Sequence, residues 1–418
     1  MEGIIIPMIR IKHLSVALLL LGAVLPWNAT AVNQEGIAAR FLAQKLNANI
    51  IESMLAKTLF EIKQGKTGEA LNTVNQLIQN TPNFKLAYLI RGDLLASRAR
   101  MLSGFGDTAA VRDPRQIEDL KEEAEKRLES YLEKNKDHLQ PNLLIQLDAS
   151  QRYAVVVDAA KSRLFLYAKQ EGGQLKYIAD YYVTIGKNGI DKKSQGDKRT
   201  PLGVYFASSK LNGPLPDMYG DGAYPLNYPN EIDVNEKRNG SGIWLHGTPT
   251  DTYSRPPRAS DGCVVLSNPD IKALHPILNR GNTPVIIANN VEWLAESSSQ
   301  VQVAQKQALH TSIEAWRKAW ESQDSEAYLA HYSSHFFYSD GDFNKWANYK
   351  RQIQAKKPRV SVGIENVSMF SYPNAQQPMV VVNFEQDFKS ASLQNRMKKR
   401  QYWVNENNQW KIIYEGAV

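Results

Sequence analysis

Over residues 36–135 apolar side chains recur every three or four positions, as at Leu42, Leu46 and Ile50, without β-branched runs. That spacing predicts amphipathic helices. Gly104, Gly106 and Pro114 break the pattern, so 103–114 is expected as a loop. Residues 115–135 then resume as a helix of mixed charge, whose Glu, Lys and Arg side chains are expected on a solvated face. The texture changes at Pro141. The runs 154–158, 164–167, 177–185, 242–247 and 284–287 are short and rich in β-formers, and turn residues separate them. They predict a mostly-β sandwich or barrel. One helix is expected there over 268–279, with Asn268 as its cap and Pro269 at its first position. A Ser- and Gln-rich stretch from Glu296 to about Gln307 predicts a linker or a helix start. Beyond it, 308–322 predicts a helix with Ile313, Trp316 and Trp320 on one face. A second helix is expected from Ser325. Strands are expected at 359–370, 378–390, 397–405 and 409–415, with hairpin turns at Pro373-Asn374 and Asn407-Asn408.

The N-terminus adds a destination. Arg10, Lys12 and His13 precede an apolar run from Leu14 to Leu25, and Ala29-Thr30-Ala31 follows. This is the charged, apolar and small-residue order of an export signal over 1–31. The apolar run is short for a bilayer. The expected location is the periplasm or cell envelope, with no membrane span after signal removal. A chain of 418 residues divides into two or three domains. The expected division is a helical region at 32–140, a β-rich domain at 141–290, a linker at 291–304 and an α+β domain at 305–418. Hydrophobic residues at 43% and charged residues at 22% are ordinary for folded domains. The net charge of +7 suits the neighbourhood of an anionic polymer or membrane surface. No cationic face with interleaved aromatics stands out, so nucleic-acid binding is not expected.

The chemistry converges on one segment. Cys263 is the single cysteine, so no intramolecular disulfide forms and the thiol is either buried and inert or reactive. It follows Gly262, and His246 ends a predicted strand upstream, with a Pro- and Arg-rich loop between. Thiol catalysis needs a base to take the proton, a third group to hold that base, and N–H groups facing the developing oxyanion. Cys263 is the candidate nucleophile and His246 the candidate base. The carbonyl of Gly247 is the candidate holder of the imidazole. Gly262 lets the backbone approach a substrate carbonyl, and the Gly262 and Cys263 N–H groups are candidate oxyanion donors. No cofactor or metal is called for. His331 and His335 stand four apart on a possible helix, but no third ligand accompanies them.

At His246, Gly247, Ser260, Gly262 and Cys263 the sequence resembles the L,D-transpeptidase (YkuD-type) catalytic domain. The resemblance reaches upstream to Thr200-Pro201-Leu202-Gly203-Val204-Tyr205 and Val183-Thr184-Ile185-Gly186, and covers roughly 141–290. It implies a β-sandwich-like enzyme acting on peptidoglycan stem peptides through a cysteine thioester. It makes Ser260, Arg258 and Asp261 candidate substrate-binding residues. Two positions depart from the family. Asp261 stands where His is frequent, and Val265 stands where Arg is frequent. Arg255 and Arg258 are the loop residues that can replace that arginine.

The helical stretch resembles a tetratricopeptide helix pair at Ala70, Val74, Leu77, Pro82, Tyr88 and Gly92. One repeat cannot bury its own face, so it must pack on further helices, on the next domain or on a second subunit. The last part resembles the cone-shaped SnoaL-like (nuclear-transport-factor-like) fold through Trp316, Trp320, Tyr402, Trp403 and Trp410. It is expected as a substrate- or wall-binding accessory rather than a second enzyme. The order helical, catalytic, cone-shaped resembles cell-shape-determining L,D-carboxypeptidases, whose N-terminal helices mediate dimers. That order raises hydrolysis as the runner-up; the expected activity, implied by the catalytic-domain resemblance, is an L,D-transpeptidase that releases D-alanine from tetrapeptide stems and passes the acyl group to an amine. The alternatives are an L,D-carboxypeptidase, a hydrolase releasing wall-linked protein, and an inactive peptidoglycan-binding scaffold.

Overall fold

The computed structural model describes residues 50–107, 113–133, 139–279, 281–295, 299–356 and 359–418. The export signal expected at 1–31, and Leu42 and Leu46, lie outside them.

The helical region contains α1 (50–63), α2 (Thr67–Asn80), α3 (Lys85–Ala96) and α4 (Arg115–Leu132). Ala70, Val74 and Leu77 of α2 face Leu86, Ile90 and Leu94 of α3, with Phe84 sealing the turn between them. Ile51 and Leu55 of α1 and Ala124 of α4 complete this core, and Tyr253 of the next domain packs against it. The lone helix pair is thus covered by two more helices and by the β-rich domain. Tyr88 and Leu95 point outward. The mixed-charge helix α4 departs from expectation, because its Glu123 and Arg127 are buried. They satisfy one another and groups of the next domain, which a one-dimensional charge pattern cannot reveal.

A five-stranded sheet organises the β-rich domain. Its order is Leu175–Tyr182, Arg163–Lys169, Tyr153–Asp158, Thr283–Ala288, Gly203–Ala207. All neighbours run antiparallel except Tyr153–Asp158 and Thr283–Ala288, which are parallel. The continuous run Ala154–Val157 is apolar because this strand is buried on both faces. The short helix α5 (Glu231–Asn235) begins at a capping box of Asn230 and Asp233. On one face of the sheet, Val155, Val157, Leu164, Leu166 and Val285 meet Ile271, Leu274 and Ile277 of α6 (Asn268–Leu278). A small sheet of Val264–Val265, Trp244–His246 and Ala223–Pro225 lies against the same core. The cap of α6 is Ser267, whose side chain accepts the Asp270 N–H, and not Asn268 as expected. Asn268 is already helical and its amide serves elsewhere.

The last part contains α7 (Ser299–Ser322), α8 (Ser325–Leu329) and α9 (Phe343–Gln354) against a seven-stranded sheet. The four long strands fall close to expectation, and the turn between the last two has Asn407 and Asn408 both at positive φ, as a tight hairpin requires. His331 precedes the strand Tyr332–Tyr338 and His335 lies within it, so their spacing is not helical. Among the described residues no group of three His, Cys, Asp or Glu is placed to hold a metal ion. No helix of the described residues is long and apolar enough to cross a membrane.

Two boundaries differ from the sequence reading. The expected linker 291–304 carries the strand Trp293–Ala295, paired with Leu139–Pro141, and the first residues of α7. The strand Leu144–Gln146 leaves the β-rich domain and pairs with Val360–Ser371 at the edge of the last sheet. The outer face of the five-stranded sheet, with Val156, Phe165, Val204 and Ile286, packs directly on Phe370, Val381 and Tyr402. Arg400 pairs with Glu231 at 3.0 Å across the same junction, and Tyr402 Oη donates to Glu231 at 2.7 Å. The C-terminal domain therefore shares a core with the β-rich domain.

Candidate active site

The candidate base lies on one of two adjacent parallel strands, and the candidate nucleophile leads into the other. Leu245 is paired with Val264 and His246 with Val265. The Leu266 N–H extends the ladder to the His246 carbonyl at 2.9 Å. Cys263 enters this ladder one step before Val264, beside Trp244.

His246 is 3% exposed. Its Nδ1 lies 2.7 Å from the Gly247 carbonyl. A carbonyl only accepts, so Nδ1 carries the proton and Nε2 keeps its lone pair. Tyr219 meets the imidazole edge-on at 5.2 Å and Trp244 at 4.8 Å. Burial pushes the His246 pKa down to about 4; the Gly247 carbonyl opposes this shift and the Arg255 charge reinforces it. Cys263 is partly exposed, and its Sγ donates to the Gly242 carbonyl at 3.3 Å. Burial pushes the thiol up to about 11, against a backbone hydrogen bond from Trp244. Asp261 adds to the rise, while Arg255 and Lys192 oppose it. At rest the thiol and the imidazole are both neutral. Such a pair passes its proton as the sulfur attacks, rather than standing as a preformed thiolate.

The turn before Cys263 is tightly braced. Ser260 Oγ accepts the Gly262 N–H at 3.1 Å and donates to the Cys263 carbonyl at 2.6 Å. Thr200 Oγ1 donates to the Gly262 carbonyl and accepts the Gly186 N–H, each at 2.9 Å. Gly262 has φ +125°, and a Cβ there would stand 2.8 Å from the Arg199 carbonyl. The Gly262 N–H is thus taken by Ser260, which corrects its expected role as an oxyanion donor. The Cys263 N–H has no hydrogen-bond partner among the described residues.

The other candidates divide. Ser260 is a brace for the turn. Asp261 is exposed and pairs with Lys187 at 3.3 Å on the rim. Arg258 is drawn away to Glu122 of α4 at 2.9 Å. Arg255 stays at the site. Its charge acts on both Cys263 and His246, and its guanidinium has no hydrogen bond or ion pair among the described residues. Val265, at the family's arginine position, is buried.

Two supports were not anticipated. Asn268 accepts the Asp221 N–H at 3.0 Å and donates to the Thr248 carbonyl at 2.8 Å. It packs so closely that a Cβ on Gly247 would stand 2.2 Å from its Oδ1. Asp197 accepts from Lys192 Nζ at 2.8 Å and from the N–H groups of Lys193, Ser194 and Arg199 at 2.7, 3.0 and 3.1 Å. Burial raises its pKa, and these bonds more than offset that, holding it at about 2. Asn268 reaches backbone of distant loops, whereas Asp197 gathers the backbone and Lys192 of its own loop, and the family motif records neither.

Residues 152–287 match the L,D-transpeptidase catalytic domain (YkuD) family. Residues 308–416 match the Cds6 C-terminal NTF2-like domain. Among solved structures, the chain is similar to Bd1075 of Bdellovibrio bacteriovorus, with 30% identity and a TM-score of 0.57 over 67% of this chain and 98% of that one. It shares its fold with the helical cell shape determining protein Pgp2 of Campylobacter jejuni, at 24% identity and a TM-score of 0.57 over 66% of this chain and 96% of that one. No curated protein matches it.

Proposed function

The chain belongs to the L,D-transpeptidase (YkuD) family, with an NTF2-like domain at its C-terminal end, and on that premise we propose that it cleaves terminal D-alanine from peptidoglycan tetrapeptide stems with Cys263 as nucleophile and His246 as base. What supports this reading is the strand register that sets Cys263 beside Trp244, two positions before His246, together with an imidazole pinned by Nδ1 on the Gly247 carbonyl, which leaves Nε2 as the basic nitrogen. Sγ attacks the carbonyl of the third stem residue, a diamino acid, while His246 takes the thiol proton. The developing oxyanion has the Cys263 N–H as its nearest free donor on this turn. The C–N bond then breaks, and His246 returns the proton to the departing amine of D-alanine. Arg255, unpaired beside the thiol, suits the carboxylate of that leaving group. A thioester remains on Cys263.

Water is the acceptor we favour. Hydrolysis, with His246 again as base, gives a tripeptide and restores the thiol. The helical, catalytic and cone-shaped parts run through the chain in one folded unit, and this order resembles cell-shape-determining L,D-carboxypeptidases. A second reading follows from the catalytic domain alone: an amine takes the thioester and a 3–3 crosslink forms. An amine held in a near-attack pose can outrun water, because effective molarities reach roughly 10⁵ M. Either activity places the protein in the cell envelope, on the periplasmic side where stem peptides are exposed.

The test supplies disaccharide tetrapeptide, with and without excess tripeptide acceptor, and resolves products by mass. Tripeptide without dimer supports hydrolysis. Dimer that grows with acceptor decides for transpeptidation. Unchanged D-alanine release by Cys263→Ala would sink the nucleophile assignment.

A further inference from the structure

The loop 247–262 joins the base to the nucleophile, and it is held from two sides. On the catalytic side, Tyr182 Oη and Thr184 Oγ1 donate to the Arg255 carbonyl at 3.0 and 2.9 Å, and the Ile185 N–H reaches the Pro257 carbonyl at 2.8 Å. On the helical side, Asn83 Nδ2 donates to the Thr250 carbonyl at 2.7 Å, and the Tyr253 N–H returns a bond to the Asn83 carbonyl at 3.0 Å. The Tyr253 ring lies 4.9 Å from Phe84. Ser254 Oγ donates to Glu123 Oε1 at 2.6 Å.

Glu123 and Arg127 are 1% and 3% exposed, and they bond at 2.9 Å. Arg127 also reaches Glu52 of α1 at 2.5 Å. Its guanidinium lies 3.9 Å over the Tyr182 ring of the catalytic sheet and 5.2 Å over Phe84 of the helical region. One cation thus touches both domains where they meet the loop. Burying such a pair is a poor route to stability, since well-packed apolar residues of equal volume do as well or better. What the carboxylate supplies instead is a shared anchor: Glu123 Oε1 accepts both the Arg127 Nε–H and the Ser254 hydroxyl.

Ser254 immediately precedes Arg255, the unpartnered guanidinium that acts on Cys263 and His246. We infer that Glu123 and Arg127 of α4 are positioning residues for the active site, holding Ser254 and with it the course of the loop that carries Arg255 between His246 and Cys263. The helical region is then a working part of the catalytic centre. This rests on the acyl-transfer reading for its kinetic consequence alone; the placement of the guanidinium stands apart from the substrate.

The experiment uses the full chain with Ser254→Ala, Ser254→Thr and Glu123→Ala. It reads kcat and KM on disaccharide tetrapeptide, the pH profile of Cys263 alkylation by iodoacetamide, and thermal unfolding. Removing the Ser254 hydroxyl should lower thermal unfolding only modestly, since Glu123 keeps its Arg127 partner. It should lower kcat by about ten- to a hundredfold with KM little changed, the scale of a misplaced active-site group. The alkylation profile should move to higher pH, because a displaced Arg255 no longer favours the thiolate. Ser254→Thr should restore both. Glu123→Ala, if folded, should match Ser254→Ala. A kcat and an alkylation profile both within about twofold of wild type in Ser254→Ala would overturn the inference, whatever Glu123→Ala does to unfolding. A wild-type protein that releases no D-alanine would sink the acyl-transfer reading, and the alkylation profiles would still decide the positioning role.

Discussion

Thr200 and Gly262 are joined by a buried hydrogen bond of 2.9 Å, and the same Thr200 oxygen accepts the Gly186 N–H. One hydroxyl therefore ties together the three separate segments on which the family resemblance rests. The strand end at Gly186, the turn at Thr200 and the cysteine turn form one knot. Thr200→Val keeps the side chain's shape and removes both bonds. Each buried backbone group left unpaired costs about 1–3 kcal/mol. The variant should unfold at lower denaturant concentration and lose most of its D-alanine release, while Thr200→Ser should stay close to wild type in both assays.

Gly262→Ala should be inactive. Its Cβ would stand 2.8 Å from the Arg199 carbonyl, at a φ of +125° that side chains rarely adopt. Relief requires the cysteine turn to shift, at about 1–3 kcal/mol of strain. Turnover of tetrapeptide together with circular dichroism separates a displaced thiol from a lost fold. Wild-type turnover would contradict the tight fit of this turn.

The pH dependence follows from the neutral resting pair. His246 must be unprotonated to accept the thiol proton. With its pKa down at about 4, that form is present above pH 4 and is lost as pH falls through it. The thiol, pushed up to about 11, keeps its proton until far into the alkaline range. Thus kcat/KM should hold level from neutral pH down towards 4. Alkylation of Cys263 in the free enzyme should keep rising as pH increases beyond neutrality. An acid limb near the ordinary histidine value, with alkylation already level at neutral pH, would instead indicate a preformed thiolate–imidazolium pair.

Asp197→Asn should loosen the loop beside Gly262. Lys192 is 3% exposed, and Asp197 is its carboxylate partner at 2.8 Å. Removing the countercharge of that buried ammonium, which keeps only the Ser194 carbonyl at 2.9 Å and a neutral amide, costs about 3 kcal/mol at most. The linkage has a definite sign. A carboxyl held at about 2 when folded, against 3.8 ordinarily, adds stability above the ordinary value and loses it as pH falls through the lower one. Denaturant midpoints at neutral and acid pH should therefore differ less in the variant than in the wild type.

The candidate site could be named from the sequence because its motif is local. His246 with Gly247, and Cys263 with Gly262, are neighbours in sequence whose types state the chemistry. The brace by Asn268 was misread as a helix cap, since an Asn before a Pro suits that role and its true contacts, with Asp221 and Thr248, lie in other loops. Helix α4 was misread for a related reason. Glu and Arg four apart look the same on a wet surface and in a buried junction, and only Ser254 and Tyr182, far along the chain, distinguish them. The long strands of the last domain carry their own apolar alternation and a tight Asn-Asn turn, so they were found. The three-residue strand Leu144–Gln146 carries no such signal.

That short strand has a consequence for how the protein comes into being. Gln146 Nε2 donates to the Val367 carbonyl, 221 positions later. A chain made from its N-terminal end completes every residue of the thiol centre before the partner of this strand exists. Until then the apolar outer face of the five-stranded sheet has nothing to rest on, and contacts of such long range form slowly. Nascent or truncated chains ending before residue 305 should therefore be the forms that chaperones and proteases encounter, and maturation should be complete only once the final strands have been made.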